Sequence, residues 1–169
     1  MGRRVVSLGA DVTPAVFERT LTLATQLAGE GREGRPVGTI FVVGDSDRVL
    51  EQSRSLVLNP LHGYPESDRN ILDPAIEETI KEFSAIDGAF IVRGSGAVVA
   101  AGIQLLPTAS SPQLPKGLGT RHAAAGAITA STEAVAVVVS QSTGTISVFK
   151  SGQIVTAIHK PTAAIRKAG

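Results

Sequence analysis

The chain of 169 residues contains no cysteine. Disulfide bonds, thiolate catalysis and cysteine-type zinc sites are thereby excluded together. Its three histidines, His62, His122 and His159, are scattered and show no metal-ligand spacing. Aromatic residues make up only 4% of the sequence, and the 16 Lys and Arg residues form no dense run and no basic stripe interleaved with aromatics. Nucleic acid is therefore not an expected partner. Long apolar runs are missing too. The first residues carry Arg3 and Arg4 but only a short apolar stretch that Asp11 interrupts, so neither a secretory leader nor a membrane-spanning helix is expected. A soluble cytoplasmic protein with no membrane partner is the expectation. No Gly-x-Gly-x-x-Gly segment follows a strand, no Walker lysine is present, and no internal repeat is visible.

What remains is an ordinary globular composition, 43% apolar and 18% charged with a net charge of +1. That suits one domain with a real core and leaves an anionic small-molecule ligand open. Residues 1–36 read as a short strand at 5–8, a helix opened by Thr13-Pro14, and a polar, glycine-rich connector over 29–36. Phe17, Leu21, Ala24, Leu27 and Ala28 set the apolar face of that helix. Residues 37–43 read as a buried strand, with Gly44-Asp45 as a cap for a helix over 46–53 and an extended stretch over 56–58. A long polar loop over 62–70 follows. Asp73-Pro74 opens a helix with Ile76, Ile80 and Phe83 inward, while Glu77, Glu78, Lys81 and Glu82 face water. From Gly88 strands dominate: a hairpin over 89–101, a strand over 134–139 buried on both faces, and further strands over 145–149 and 153–158. An alanine-rich helix over 121–132 interrupts them. The pattern predicts an α/β fold with a mixed central β-sheet flanked by helices. Residues 37–160 hold the chemistry in this reading, and 161–169 form a flexible tail.

Two segments carry that chemistry. Asp87-Gly88-Ala89 places an acid and a glycine at the mouth of an apolar strand, where a carboxylate costs several kcal/mol unless something pairs with it. Gly119-Thr120-Arg121-His122 gathers a hydroxyl, a guanidinium and an imidazole at a helix start, where free N–H groups already favour anions. That is a phosphate site in outline. Taken singly, each feature has a plainer explanation: Asp-Gly is a common turn, a lone histidine usually satisfies local hydrogen bonds, and a serine such as Ser140 often precedes a turn.

Taken in order, Asp87-Gly88-Ala89, Gly119-Thr120-Arg121-His122 and Ser140-Gln141 resemble the signature of the diadenylate cyclase domain, a family that makes cyclic di-AMP from ATP. The resemblance runs over roughly 37–158. It implies that Asp87 ligates a divalent cation, Mg²⁺ or Mn²⁺, or polarises the ribose 3′-hydroxyl, and that Gly88 and Ala89 lie against the nucleotide. It further implies that Gly119, Thr120, Arg121, His122 and Ser140 contact the triphosphate and that Leu105 holds adenine. ATP is the implied substrate, one per protomer, across a face-to-face homodimer or higher homo-oligomer. One departure stands out: the family commonly has Arg-His-Arg, and here the third position is Ala123, with Lys116 or Arg93 as candidate substitutes. A nucleotide-binding module that has lost turnover and acts as a sensor or assembly part is the alternative.

Overall fold

The computed structural model describes residues 7–9, 11–109 and 114–159. The first residues of the expected strand at 5–8 and the tail lie outside the described residues, and Ser7 and Leu8 are not in a strand. Helix α1 (Pro14–Glu30) begins as its sequence dictates, with the Thr13 hydroxyl accepting from the Val16 amide at 3.3 Å and proline at the first position. It passes Gly29 and stops at Gly31.

Seven strands follow: β1 (Thr39–Val43), β2 (Ser53–Ser55), β3 (Ala89–Val92), β4 (Val98–Leu105), β5 (Val135–Val139), β6 (Ile146–Lys150) and β7 (Gln153–Ile158). They form one sheet in the order β2-β4-β3-β1-β5-β6-β7. Only β1 and β3 pair in parallel, and the other five pairings are antiparallel, so the sheet is mixed as expected. Helices α2 (Ser46–Glu51), α3 (Glu77–Phe83) and α4 (Thr120–Ser131) complete the fold.

Both sheet faces are covered, which is why β1, β3 and β5 are buried at every position and, Thr39 apart, apolar. One face packs Phe41, Phe90 and Val137 against Val16, Leu23 and Leu27 of α1 and Ile80 of α3. Phe41 and Phe90, opposite each other in the parallel register, stack with ring centroids 5.0 Å apart. The other face packs Ile40, Ile91 and Val138 against Val49 of α2 and Ala125 and Ile128 of α4. Gly126, Ala125 and Ala127 are all buried, so the small residues of α4 do allow its close approach.

Several local expectations are corrected. Helix α2 ends at Glu51, and the next strand is 53–55 rather than 56–58, because Ser53, Arg54 and Ser55 pair with Leu105, Gln104 and Ile103. Leu56, Val57 and Leu58 are left exposed. Asp45 occupies the cap position of α2 but makes no side-chain cap bond. Its carboxylate instead accepts from the Glu133 amide at 2.8 Å, while its own amide donates to Asp11 at 2.9 Å. Of the acidic face on α3, Glu78 and Glu82 do face water, but Glu77 is half-buried and pairs with Arg19 of α1 at 3.2 Å. That hydrogen bond from Arg19 holds the Glu77 carboxyl below its usual range. The loop around Asn59, without an account in sequence terms, is pinned to β4: the Asn59 side chain donates to the Val99 carbonyl at 2.9 Å and accepts from Leu61 and Ala101 amides.

Candidate functional site

Strand direction decides which residues meet. β1 and β3 start at one edge of the sheet, and their antiparallel neighbours end there, as the pairs Thr39 with Val139 and Ala89 with Ile103 show. β6 starts and β7 ends at the same edge, with Ile146 opposite both Val139 and Ile158. Along this edge therefore lie, in order, Leu105, Gly88, Gly38, Ser140, Thr145 and His159. The N-terminus of α4 projects onto it. Residues far apart in sequence are thus brought into one line by topology alone.

Of the adjoining clefts along the edge, three share Arg121 as a lining residue. The first, about 300 Å³, is lined by Gly88, Ala89, Leu105 and Thr120, with Ile40 and Ile103 giving it an apolar floor. The second, about 290 Å³, contains Asp87, Gly38 and Gln141. The third and largest, about 460 Å³, runs from Gly119, Thr120 and His122 past Ser140 to His159. All nine sequence-derived site residues therefore border this set of clefts, and Arg121 is their common wall.

Asp87 differs from expectation. It is exposed, and among the described residues it makes no ion pair or hydrogen bond, so no partner is needed to offset burial. Gly88 adopts a φ of 104°, and a Cβ there would stand 2.7 Å from the Ile103 nitrogen and 2.8 Å from its oxygen. The close approach of β4 therefore demands glycine whatever binds in the cleft. Leu105 is half-buried and packs on the second core cluster.

Helix α4 starts without a side-chain cap at Gly119, so the amides of Thr120, Arg121 and His122 are its unsatisfied first-turn donors. Thr120 is exposed and His122 is buried, its ring tilted over Phe149 at 6.1 Å. Burial, and then the neighbouring Arg121 charge, push the His122 imidazole below its ordinary value. The unfolded chain consequently binds a proton at higher pH than the folded one. Stability from this source is complete above the unfolded value of about 6.5 and is lost as pH falls toward the lower folded value. The thermal midpoint is expected to fall between about pH 7.5 and pH 5.5 by more in the wild type than in His122→Gln. Equal slopes in calorimetry would contradict this.

Ser140 lies at the end of β5 as expected, but its hydroxyl is engaged in its own turn, 3.2 Å from Ser142 and accepting from the Thr143 amide at 3.4 Å. Arg93, a candidate for the missing charge, is excluded by position: it follows β3 at the opposite edge and faces Glu66 at 3.2 Å. Ala123 is exposed. Sequence reasoning missed Gly38. Its φ is not in the left-handed region, yet a Cβ there would lie 2.8 Å from Arg121 Nη1 and 3.0 Å from both Arg121 Cζ and Gln141 Cβ. The guanidinium rests where a side chain would otherwise be. The only sequence signal was a glycine directly before a β-branched strand.

A half-open set of clefts at a helix N-terminus, with an apolar compartment at one end and hydroxyls at the other, defines an α/β domain suited to a phosphorylated, partly apolar ligand. Residues 26–154 match the family model DAC, described as DisA bacterial checkpoint controller nucleotide-binding. The chain belongs to this family, as the order of its motifs indicated. It is 50% identical over 139 residues to a protein named diadenylate cyclase from Methanocaldococcus jannaschii, covering 82% of this chain and 44% of the relative. A diadenylate cyclase from Haloferax volcanii is 42% identical over 142 residues, covering 84% of this chain and 52% of the relative. The chain thus spans about half the length of these curated relatives. A crystal structure of DacA from Staphylococcus aureus superposes with a TM-score of 0.58 at 26% identity, covering 82% of this chain and 83% of that one. No described helix is long and apolar enough to cross a membrane.

Proposed function

We propose that this chain is a diadenylate cyclase domain, which joins two ATP molecules into cyclic di-AMP and releases two pyrophosphates. The observation that carries the reading is the line of clefts along one sheet edge, three of which share Arg121. Adenine fits the apolar compartment between Leu105, Gly88 and Ala89. The triphosphate then runs past Thr120, Arg121 and His122 toward Ser140, where helix amides and a planar guanidinium match its oxygens.

Asp87 lies between these compartments, beside the place for the ribose 3′-hydroxyl. In each half-reaction a bond forms from that 3′-oxygen to the α-phosphorus of the other nucleotide, the bond from the α-phosphorus to the bridging oxygen breaks, and the hydroxyl proton departs. Catalysis of this kind rests on positioning and charge neutralisation. Asp87 offers an exposed carboxylate, the hard oxygen donor that Mg²⁺ or Mn²⁺ takes, and since no group of three His, Asp or Glu converges among the described residues the cation's other ligands would come from water and substrate phosphate. Asp87 would hold it, and when bound it neutralises phosphate charge and acidifies the hydroxyl. The site holds one nucleotide, and the product is two-fold symmetric. Two protomers facing each other across a two-fold axis supply both halves.

Incubation of purified protein with ATP and either cation, with products resolved by chromatography and mass, tests the reading. Cyclic di-AMP is the expected product. Linear adenylates or free phosphate would indicate another phosphoryl-transfer activity. Ala123 favours a second reading, a binding module without turnover, and ATP binding with no product under either metal would establish that one instead.

A further inference from the structure

The connector between α1 and β1 is a built turn rather than a spacer. Arg32 and Arg35 exchange backbone hydrogen bonds of 2.9 Å in both directions, around Glu33 at φ 52° and Gly34 at φ 76°. Two positive φ values in a two-residue loop are the mark of a type I′ turn, and holding a glutamate in the left-handed region is unfavourable for a residue with a side chain. Such local strain concentrates at functional segments. The turn sets its two arginines differently. Arg32 is engaged with Glu82 on α3 at 2.8 Å. Arg35 is exposed and has no ion-pair partner among the described residues, although Glu33 and Asp87 share its cleft. It lines the cleft that contains Asp87 and Arg121, and also the adjoining hollow formed by the turn from Ser140 to Gly144, with Gln141 the wall between them.

We propose that Arg35 is a phosphate-directed residue of this site, supplying from the α1–β1 turn the second guanidinium that the helix lacks at Ala123. The inference rests on the nucleotide reading above. Arg35 stands between the carboxylate proposed to act at the 3′-hydroxyl and the strand end where the triphosphate is proposed to run, and a guanidinium there meets phosphate oxygens in charge-assisted hydrogen bonds. It lies on a segment that precedes the strand, outside the motif set, which is why motif reading passes over it.

The test compares binding of α,β-methylene-ATP, which cannot transfer its α-phosphate, with binding of adenosine, by titration calorimetry at fixed Mg²⁺. Arg35→Ala is expected to weaken the triphosphate about tenfold, leave adenosine within about twofold and leave the thermal midpoint unchanged, with Arg35→Lys keeping part of the loss from appearing. The loss shrinks at high salt if it is electrostatic. Equal weakening of both ligands would assign Arg35 a merely structural role and overturn the proposal, as would no change for either. If the unmutated protein does not prefer the triphosphate over adenosine, the nucleotide reading itself fails, and that result is distinct because it needs no variant.

Discussion

Asp87→Asn is expected to lower formation of cyclic di-AMP by at least about a hundredfold while ATP affinity stays within a few fold, a split that separate binding and turnover measurements would resolve. Asparagine preserves the shape of the side chain and removes only its charge. Asp87 is exposed and makes no hydrogen bond or ion pair among the described residues, so nothing in the fold depends on that charge. What does depend on it is the proposed cation and the proton of a 3′-hydroxyl too weakly acidic to attack unaided. Triphosphate binding is assigned to α4 and Arg121, which lines the same cleft, and not to Asp87, which is why affinity survives. An Asp87→Asn protein with full turnover would remove the carboxylate from the mechanism.

Gly38→Val is expected to weaken ATP binding about ten- to a hundredfold with only a modest fall in thermal midpoint. The backbone at 38 has ordinary φ, so a β-branched residue is compatible with the strand entry. The nearest atoms a Cβ would meet belong to the end of the Arg121 side chain, while Gln141 Cβ, at 3.0 Å, is fixed to its main chain and gives only by a small backbone shift. Arg121 is flexible enough to move aside, and the contact with Gln141 Cβ is relieved by a shift of a few tenths of an ångström at a modest cost to the fold. Its guanidinium, however, is the wall common to all three clefts, and displacement removes a contact that orients the triphosphate. Calorimetric titration with ATP beside thermal unfolding separates the two effects. A destabilised protein that still binds ATP normally would show that Gly38 serves the sheet and not the arginine.

The sheet class was legible because β1, β3 and β5, Thr39 apart, are apolar runs, a pattern that requires cover on both faces. The helix starts at Thr13-Pro14 and Asp73-Pro74 were legible for local reasons, since capping and proline geometry act within one turn; at the latter, a 3₁₀ turn over Pro74–Ile76 precedes α3. Where partners are distant, sequence pattern failed. Residues 53–55 became a strand only because β4 lies beside them, and Asp45 was drawn away from capping by Glu133 and Asp11, neither of them near it in sequence. Of the site, the residue types and their order were visible, and the lining-up of Leu105, Gly88, Asp87, Arg121 and Ser140 follows from strand directions that no single segment encodes. Gly38 and Arg35 were invisible for a related reason. Their significance lies in what an arginine from another element occupies, and in which cleft a turn overlooks.

In the proposed function each protomer carries half of a cyclase. The most direct test is the initial rate of cyclic di-AMP formation per milligram of protein, at saturating ATP and divalent cation, across a wide range of protein concentration. The expected result is a cyclic product whose specific rate climbs with protein concentration and levels off once pairing is complete, at a concentration that sedimentation identifies with dimer formation. A cyclic product formed at constant specific rate by protein that sedimentation shows to be monomeric throughout would contradict it.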